Sequence, residues 1–103
     1  SVYRPHINLI VMEFRMREKI DEEVSVIMYY SARKRVGLPH IVSWQNKEYH
    51  VKNIGYQHKI REGQIQFHIF ELEVKEEPLW MRLKFNSDNL HWTLEAVSDG
   101  LAY

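Results

Sequence analysis

The chain has 103 residues, 45% hydrophobic and 13% aromatic, which suits one small domain that buries a core of its own. It contains no cysteine, so disulfide scaffolds, thiolate nucleophiles and cysteine-ligated zinc are excluded together. Fourteen basic residues balance fourteen acidic ones, which argues against nucleic-acid binding driven by the whole chain and leaves only local patches for it.

No apolar run approaches a membrane span and no segment resembles a signal peptide, so a cytoplasmic protein without a membrane partner is expected. The opening Ser1 fits a piece trimmed or excised from a longer chain. Period-two alternation of apolar and polar residues then dominates. Ile10, Met12, Phe14 and Met16 share one face, with Glu13, Arg15 and Arg17 opposite. Strand is favoured there, but Ile7, Ile10, Val11 and Phe14 also form a helical stripe, and residues 7–16 stay open between the two. Arg17 to Glu23 reads as a charged turn. From Val24 to Tyr30 both alternating faces are apolar, which predicts a central strand covered on each side. Ser31-Ala32-Arg33-Lys34-Arg35 then leads into a turn at Gly37.

Pro39 to Val51 has the grammar of a β-hairpin: two runs of β-branched and aromatic residues flank the polar segment Gln45-Asn46-Lys47. Beyond it the apolar phase shifts by one residue around Lys52-Asn53, and again where Ile65, Phe67 and Ile69 give way to Phe70, Leu72 and Val74. Each shift predicts a β-bulge, and two of them bend a sheet over itself. Leu79, Met81, Leu83 and Phe85 form one more strand, and Leu90, Trp92 and Leu94 the last. The fold expected is all-β: a small, strongly bent antiparallel meander forming a roll or partly open barrel. One β-domain spans residues 1–103, with 1–17 an arm or edge strand.

Phosphate loops, nucleophile elbows and His-Glu-x-x-His pairs are all missing from the sequence. His50, His68 and His91 lie opposite the apolar phase and, if their strands are neighbours, line one polar face able to ligate a divalent metal. Their spacing makes them ordinary surface histidines first, and no cofactor is expected. His58 follows the core phase as a hydrogen-bonded core residue. Arg33, Lys34 and Arg35 form the one concentrated basic run; with Tyr29, Tyr30 and Trp44 they suit phosphate contact and base stacking, or simply a solvated turn. Glu71 and Glu73 share a strand face, as acid–base chemistry needs, although alternating Glu more often marks an exposed sheet face. Trp44 and Trp92 read as core anchors. Trp80 opposes its strand's apolar phase and follows Pro78, which makes it a candidate interface residue or one half-covered by a loop.

Pro39, Trp44, Tyr49 and Val51 in this order, with the ending Trp92-Thr93-Leu94-Glu95-Ala96-Val97-Ser98-Asp99, resemble an uncharacterised family of small bacterial β-domain proteins. That family carries Pro-x-x-Phe-x-Trp-x-Gly-Arg-x-Tyr-x-Val and ends in Trp-x-Leu-x-x-Val-x-Asp. The likeness runs from Ile20 to Asp99, with Ile41 or Val42 at the Phe position and Asn46-Lys47 in place of Gly-Arg. The resemblance implies a bacterial β-domain without an assigned activity. The family's association with DNA-repair polymerases implies a nucleic-acid or repair-accessory role as the alternative. The leading expectation is a non-enzymatic protein-interaction module, with a protein partner or a homodimer. Its interface would comprise Trp80 and a first strand carrying Ile10, Met12 and Phe14.

Overall fold

The computed structural model describes residues 18–99. Seven strands hold most of them: β1 (Glu18–Glu23), β2 (Ser25–Ser31), β3 (Val36–Trp44), β4 (Lys47–Glu62), β5 (Ile65–Val74), β6 (Leu79–Asn86) and β7 (Trp92–Asp99). They form one antiparallel sheet in the order β1-β7-β6-β5-β4-β3-β2. From β2 onward each strand pairs with its successor, and β1 returns to lie beside β7.

The first and last strands of that order are consecutive in the chain, separated by Val24 alone. The sheet therefore curls until its ends meet at one residue, where the Val24 N–H donates to the Trp92 carbonyl at 3.0 Å. It stays open, because β1 and β2 do not pair with each other. On the opposite side β4 makes the bend: Lys47 to His50 pair with β3, and Val51 to Glu62 pair with β5. Register shifts at Val51/Asn53 and Ile54/Tyr56 mark the bulges that allow this change of partner. The expected roll or partly open barrel is thus the observed fold, and the phase shift at Lys52-Asn53 is its corner.

Local turn chemistry explains the hairpins. Gln45 and Asn46 both have positive φ (53° and 61°), the mirror-image type I turn whose twist matches a two-residue hairpin. Gly63, at φ 63°, starts the two-residue turn between β4 and β5, where a side chain would be strained. Between β6 and β7 the Asn86 side-chain oxygen accepts from the N–H groups of Asp88 (2.8 Å) and Asn89 (3.3 Å).

Inside the curl Phe70, Leu72 and Val74 meet Met81 and Leu83, Trp92, Leu94 and Val97, and Val42 and Tyr49 close the far side. Each such side chain contributes about 1.5–3 kcal/mol by leaving water. Trp92 stacks on Phe85 at 4.6 Å and Phe70 at 5.6 Å between ring centres. Trp44 packs at the edge of the core and its Nε1–H donates to Glu22 Oε1 at 3.2 Å. Both tryptophans are the anchors expected of them.

Several expectations give way to tertiary pairing. The charged stretch through Glu23 is strand β1 from Glu18, not a turn: the open edge of β7 recruits it, and Ile20 packs on the core. A bulge at Ile20-Asp21, with Asp21 at φ 54°, accommodates the polar run. β2 is an edge strand, not a covered central one. The turn after it is Ala32 to Arg35, and Gly37 lies inside β3 opposite Tyr30. The phase change at Ile69-Phe70 is not a bulge, since β5 keeps unbroken register with β6 there. Ile69 and Phe70 are both buried, on opposite faces of a strand flanked on either side. Leu90 belongs to the β6–β7 loop, exposed and at φ 66°. The candidate first strand, with Ile10, Met12 and Phe14, lies outside the described residues.

Candidate interaction surface

β2 and the first half of β3 form a two-stranded ribbon that reaches past the core. On β2, Ile27 is 55% exposed, Met28 42%, Tyr29 61% and Tyr30 64%. Among the described residues β3 is the sole neighbour of β2, so its other edge presents unpaired backbone groups. From Ile27 to Tyr30 both faces are exposed, while Val26 packs against the core. Ile27 pairs with Ile41 and Met28 with Pro39, leaving His40 as an extra bulged residue of β3. Gly37 makes room across the ribbon, since a Cβ there would stand 2.8 Å from the Met28 methyl carbon.

The ribbon ends in the basic turn. Ser31 organises it: its carbonyl accepts from the Arg35 N–H at 2.6 Å and its hydroxyl from the Lys34 N–H at 3.2 Å. Arg35 takes φ 57° to close the turn. Arg33, Lys34 and Arg35 are all exposed, and they make no ion pair with any described residue. Tyr29 and Tyr30 adjoin this turn. Trp44 does not, because it sits at the opposite end of β3, held by Glu22 and stacked against Tyr49 at 6.2 Å.

The three candidate metal histidines are scattered. His50 is tied to the β5–β6 loop, where Glu76 accepts from its backbone N–H at 2.8 Å and bonds its ring Nδ1. That contact holds the Glu76 carboxyl below its ordinary value of 4.5. His68 follows the core phase of β5, not the opposite one, and its ring lies 6.0 Å from that of Phe85. Burial, reinforced by Lys59 opposite, pushes its pKa below 6.5. His91 faces Glu23 at 3.6 Å. Among the described residues no three His, Asp or Glu side chains are grouped to hold a metal ion. His58 is half-buried against Tyr56, ring centres 4.7 Å apart, and its Nδ1 has no hydrogen-bond partner, contrary to the satisfied core role expected.

The acidic pairs are likewise held by neighbours. Glu71 accepts from Arg82 Nη1 at 2.7 Å, and Glu73 from the Asn53 side-chain amide at 3.2 Å. Arg82 also donates from Nε to Glu95 at 3.0 Å. Glu95 is the extra residue of a β7 bulge between the Arg82–Ala96 and Leu83–Leu94 pairs, which aims its carboxylate at Arg82. Lys47 pairs with Glu77 at 3.0 Å, an exposed contact that raises the Lys47 pKa. Trp80 lies half-buried over Gly55, where a Cβ would come within 2.8 Å of its ring. The Arg82 network and the Gly55–Trp80 contact both escaped sequence reading. Each depends on cross-strand register, although the alternation of β5 and β6 already puts Glu71 and Arg82 on outward phases.

Among the described residues no helix is long and apolar enough to cross a membrane. Comparison with protein-family models, curated proteins and solved structures returned no match.

Proposed function

We propose that this chain is a non-enzymatic protein-interaction module of a bacterial cytoplasmic protein, and that it docks through the β2 edge. The observation that carries this reading is the run Ile27, Met28, Tyr29 and Tyr30, exposed on an edge strand that bears no charge from Ser25 to Ser31. Edge strands facing water are usually blunted by Lys, Pro or inward charges, because bare ones pair with other chains. An unblunted edge with two exposed tyrosines suits strand addition, in which backbone bonds supply affinity and aromatic side chains the anchors. The resemblance of the hairpin and the ending to small bacterial β-domains supports the same reading. The tethering of Glu71, Glu73, His50 and His91 by neighbouring side chains also favours it over catalysis.

A nucleic-acid or repair-accessory role is the second reading. It is favoured by three exposed cations beside Tyr29 and Tyr30 at the ribbon tip, with Trp44 removed from the set. A photo-crosslinking amino acid placed at Tyr29, with Tyr56 as the control position, separates the two in cells. The module reading expects a protein adduct, identified by mass spectrometry, at position 29 and not at 56. Nuclease-sensitive adducts at 29 would establish the second reading, and equal or absent adducts at both positions would refute the first.

A further inference from the structure

We propose that the β2 edge takes an extended peptide of a partner protein, added antiparallel to β2, in which a cluster of aspartate or glutamate precedes a short apolar run. The inference rests on the interaction-module reading and adds the chemical class of the partner.

Its warrant is that the edge offers three kinds of contact in a fixed order. The first is backbone. Met28 pairs with Pro39 inside the ribbon, and Pro39 has no N–H to donate. That pair therefore cannot exchange both bonds, and the other class of antiparallel pair turns the Met28 N–H and C=O toward the open edge. Register with β3 is unbroken from Met28 to Ser31, so alternation gives the Tyr30 groups the same outward direction. Met28 and Tyr30 thus present donors and acceptors to an added strand. The second contact is apolar. Ile27 and Tyr29 lie on one face of the edge and Met28 and Tyr30 on the other, all exposed. Successive side chains of the peptide therefore meet an aromatic or aliphatic neighbour on either face.

The third contact is charge. β2 is uncharged from Ser25 to Ser31, and Arg33, Lys34 and Arg35 crowd the turn at its C-terminal end. They are exposed and make no ion pair with any described residue. The turn folds back toward β3, so its backbone adds nothing to the ladder. Its side chains are long enough to meet a strand that runs past Ser31, because neighbouring strands lie only about 4.8 Å apart. Cations gathered at the end of an uncharged strand complement carboxylates gathered at one end of a peptide. Antiparallel pairing is the more stable kind, and it sets the peptide's N-terminal side beside this turn. A nucleic-acid strand fits the same edge less well, because its phosphates repeat along its whole length. They would pass from the cations over the seven uncharged residues of β2 toward Asp21, Glu22 and Glu23, exposed just ahead of it.

Selection of a displayed library of random linear peptides on the full chain tests this. The expected survivors carry aspartate or glutamate ahead of an apolar run and bind more weakly as salt rises. Combining Arg33→Glu with Lys34→Glu should weaken a selected peptide about tenfold, and leaves Arg35 to hold its place at positive φ. The same peptide with lysine in place of its acids should prefer this variant to the parent. Met28→Pro removes an outward N–H that β3 does not use and should abolish binding. Near-ultraviolet circular dichroism checks both folds, and the turn variant, altered only at exposed side chains, decides the matter if the proline variant unfolds. Survivors without acids, or with acids behind the apolar run, overturn the proposal. So do a library that enriches nothing and a turn variant that binds like the parent. A single-stranded oligonucleotide that binds the parent more tightly than any selected peptide overturns it in favour of nucleic acid. A protein adduct at Tyr29 together with survivors that lack acids removes the acidic partner and leaves the interaction-module reading in place.

Discussion

Replacing Arg82 with methionine tests how far the sheet's outward face contributes to stability. Arg82 donates to Glu95 at 3.0 Å and to Glu71 at 2.7 Å, linking β6 to both of its neighbours. The three side chains are only 25–29% exposed, so solvent screens these bonds less than it does ordinary surface pairs. Burial alone would lower the Arg82 pKa, yet Glu95 and Glu71 more than offset it and the net direction is upward. Two bonds to charged groups at about 1.5–3 kcal/mol each, discounted for partial exposure, predict a loss of about 2–3 kcal/mol. Methionine keeps the stem's packing, so the loss reports the charge and not a cavity. For a domain of this size the midpoint of thermal unfolding should fall by about 10–20 °C. Arg82→Lys keeps the charge but not the two-armed geometry and should cost about half as much. Urea unfolding of the three proteins measures the differences directly. A methionine variant within about 0.5 kcal/mol of the parent would refute the reasoning and class the network with weak surface pairs.

Two further outcomes follow from the packing of His68 and Gly55. His68 has its pKa lowered by burial and Lys59, so the unfolded chain binds its proton more readily than the folded one. Its neutral form therefore contributes stability that is fully present above 6.5 and is lost as pH falls below that value toward the folded pKa. Urea unfolding of His68→Phe across this range should show a flatter acid limb than the parent, and parallel limbs would contradict the assignment. Gly55→Ala places a Cβ 2.8–2.9 Å from two Trp80 ring carbons and should destabilise by about 1–2 kcal/mol. In a Trp80→Ala background the same change should be neutral or mildly stabilising, and a double-mutant cycle without coupling would show that the two residues do not touch.

The parts of the fold that were legible are those decided by local chemistry. Alternation placed β3 to β7 because a side-chain period of two is a property of the strand itself. Gln45-Asn46 marked a hairpin because polar residues there tolerate positive φ, and the phase shift at Lys52-Asn53 marked the bend because an uncompensated shift would turn the core residues outward. The site was less legible. Arg33, Lys34 and Arg35 stood out as charge, but their separation from Trp44 depends on the length of β3, and the scattering of His50, His68 and His91 depends on register.

By itself, then, the sequence determined an all-β chain, its hairpins, its tryptophan anchors and its corner, since each follows from residues adjacent in the chain. Only the tertiary structure decided which apolar runs are covered. Val24 to Tyr30 reads as apolar on both faces, and Ile65 to Val74 as an apolar run that passes from one face to the other. β5 is flanked on either side, and its runs are buried. β2 falls at an open edge and keeps Ile27, Met28, Tyr29 and Tyr30 in water. Apolar patterning states that a residue avoids water, and strand order decides what is there to cover it.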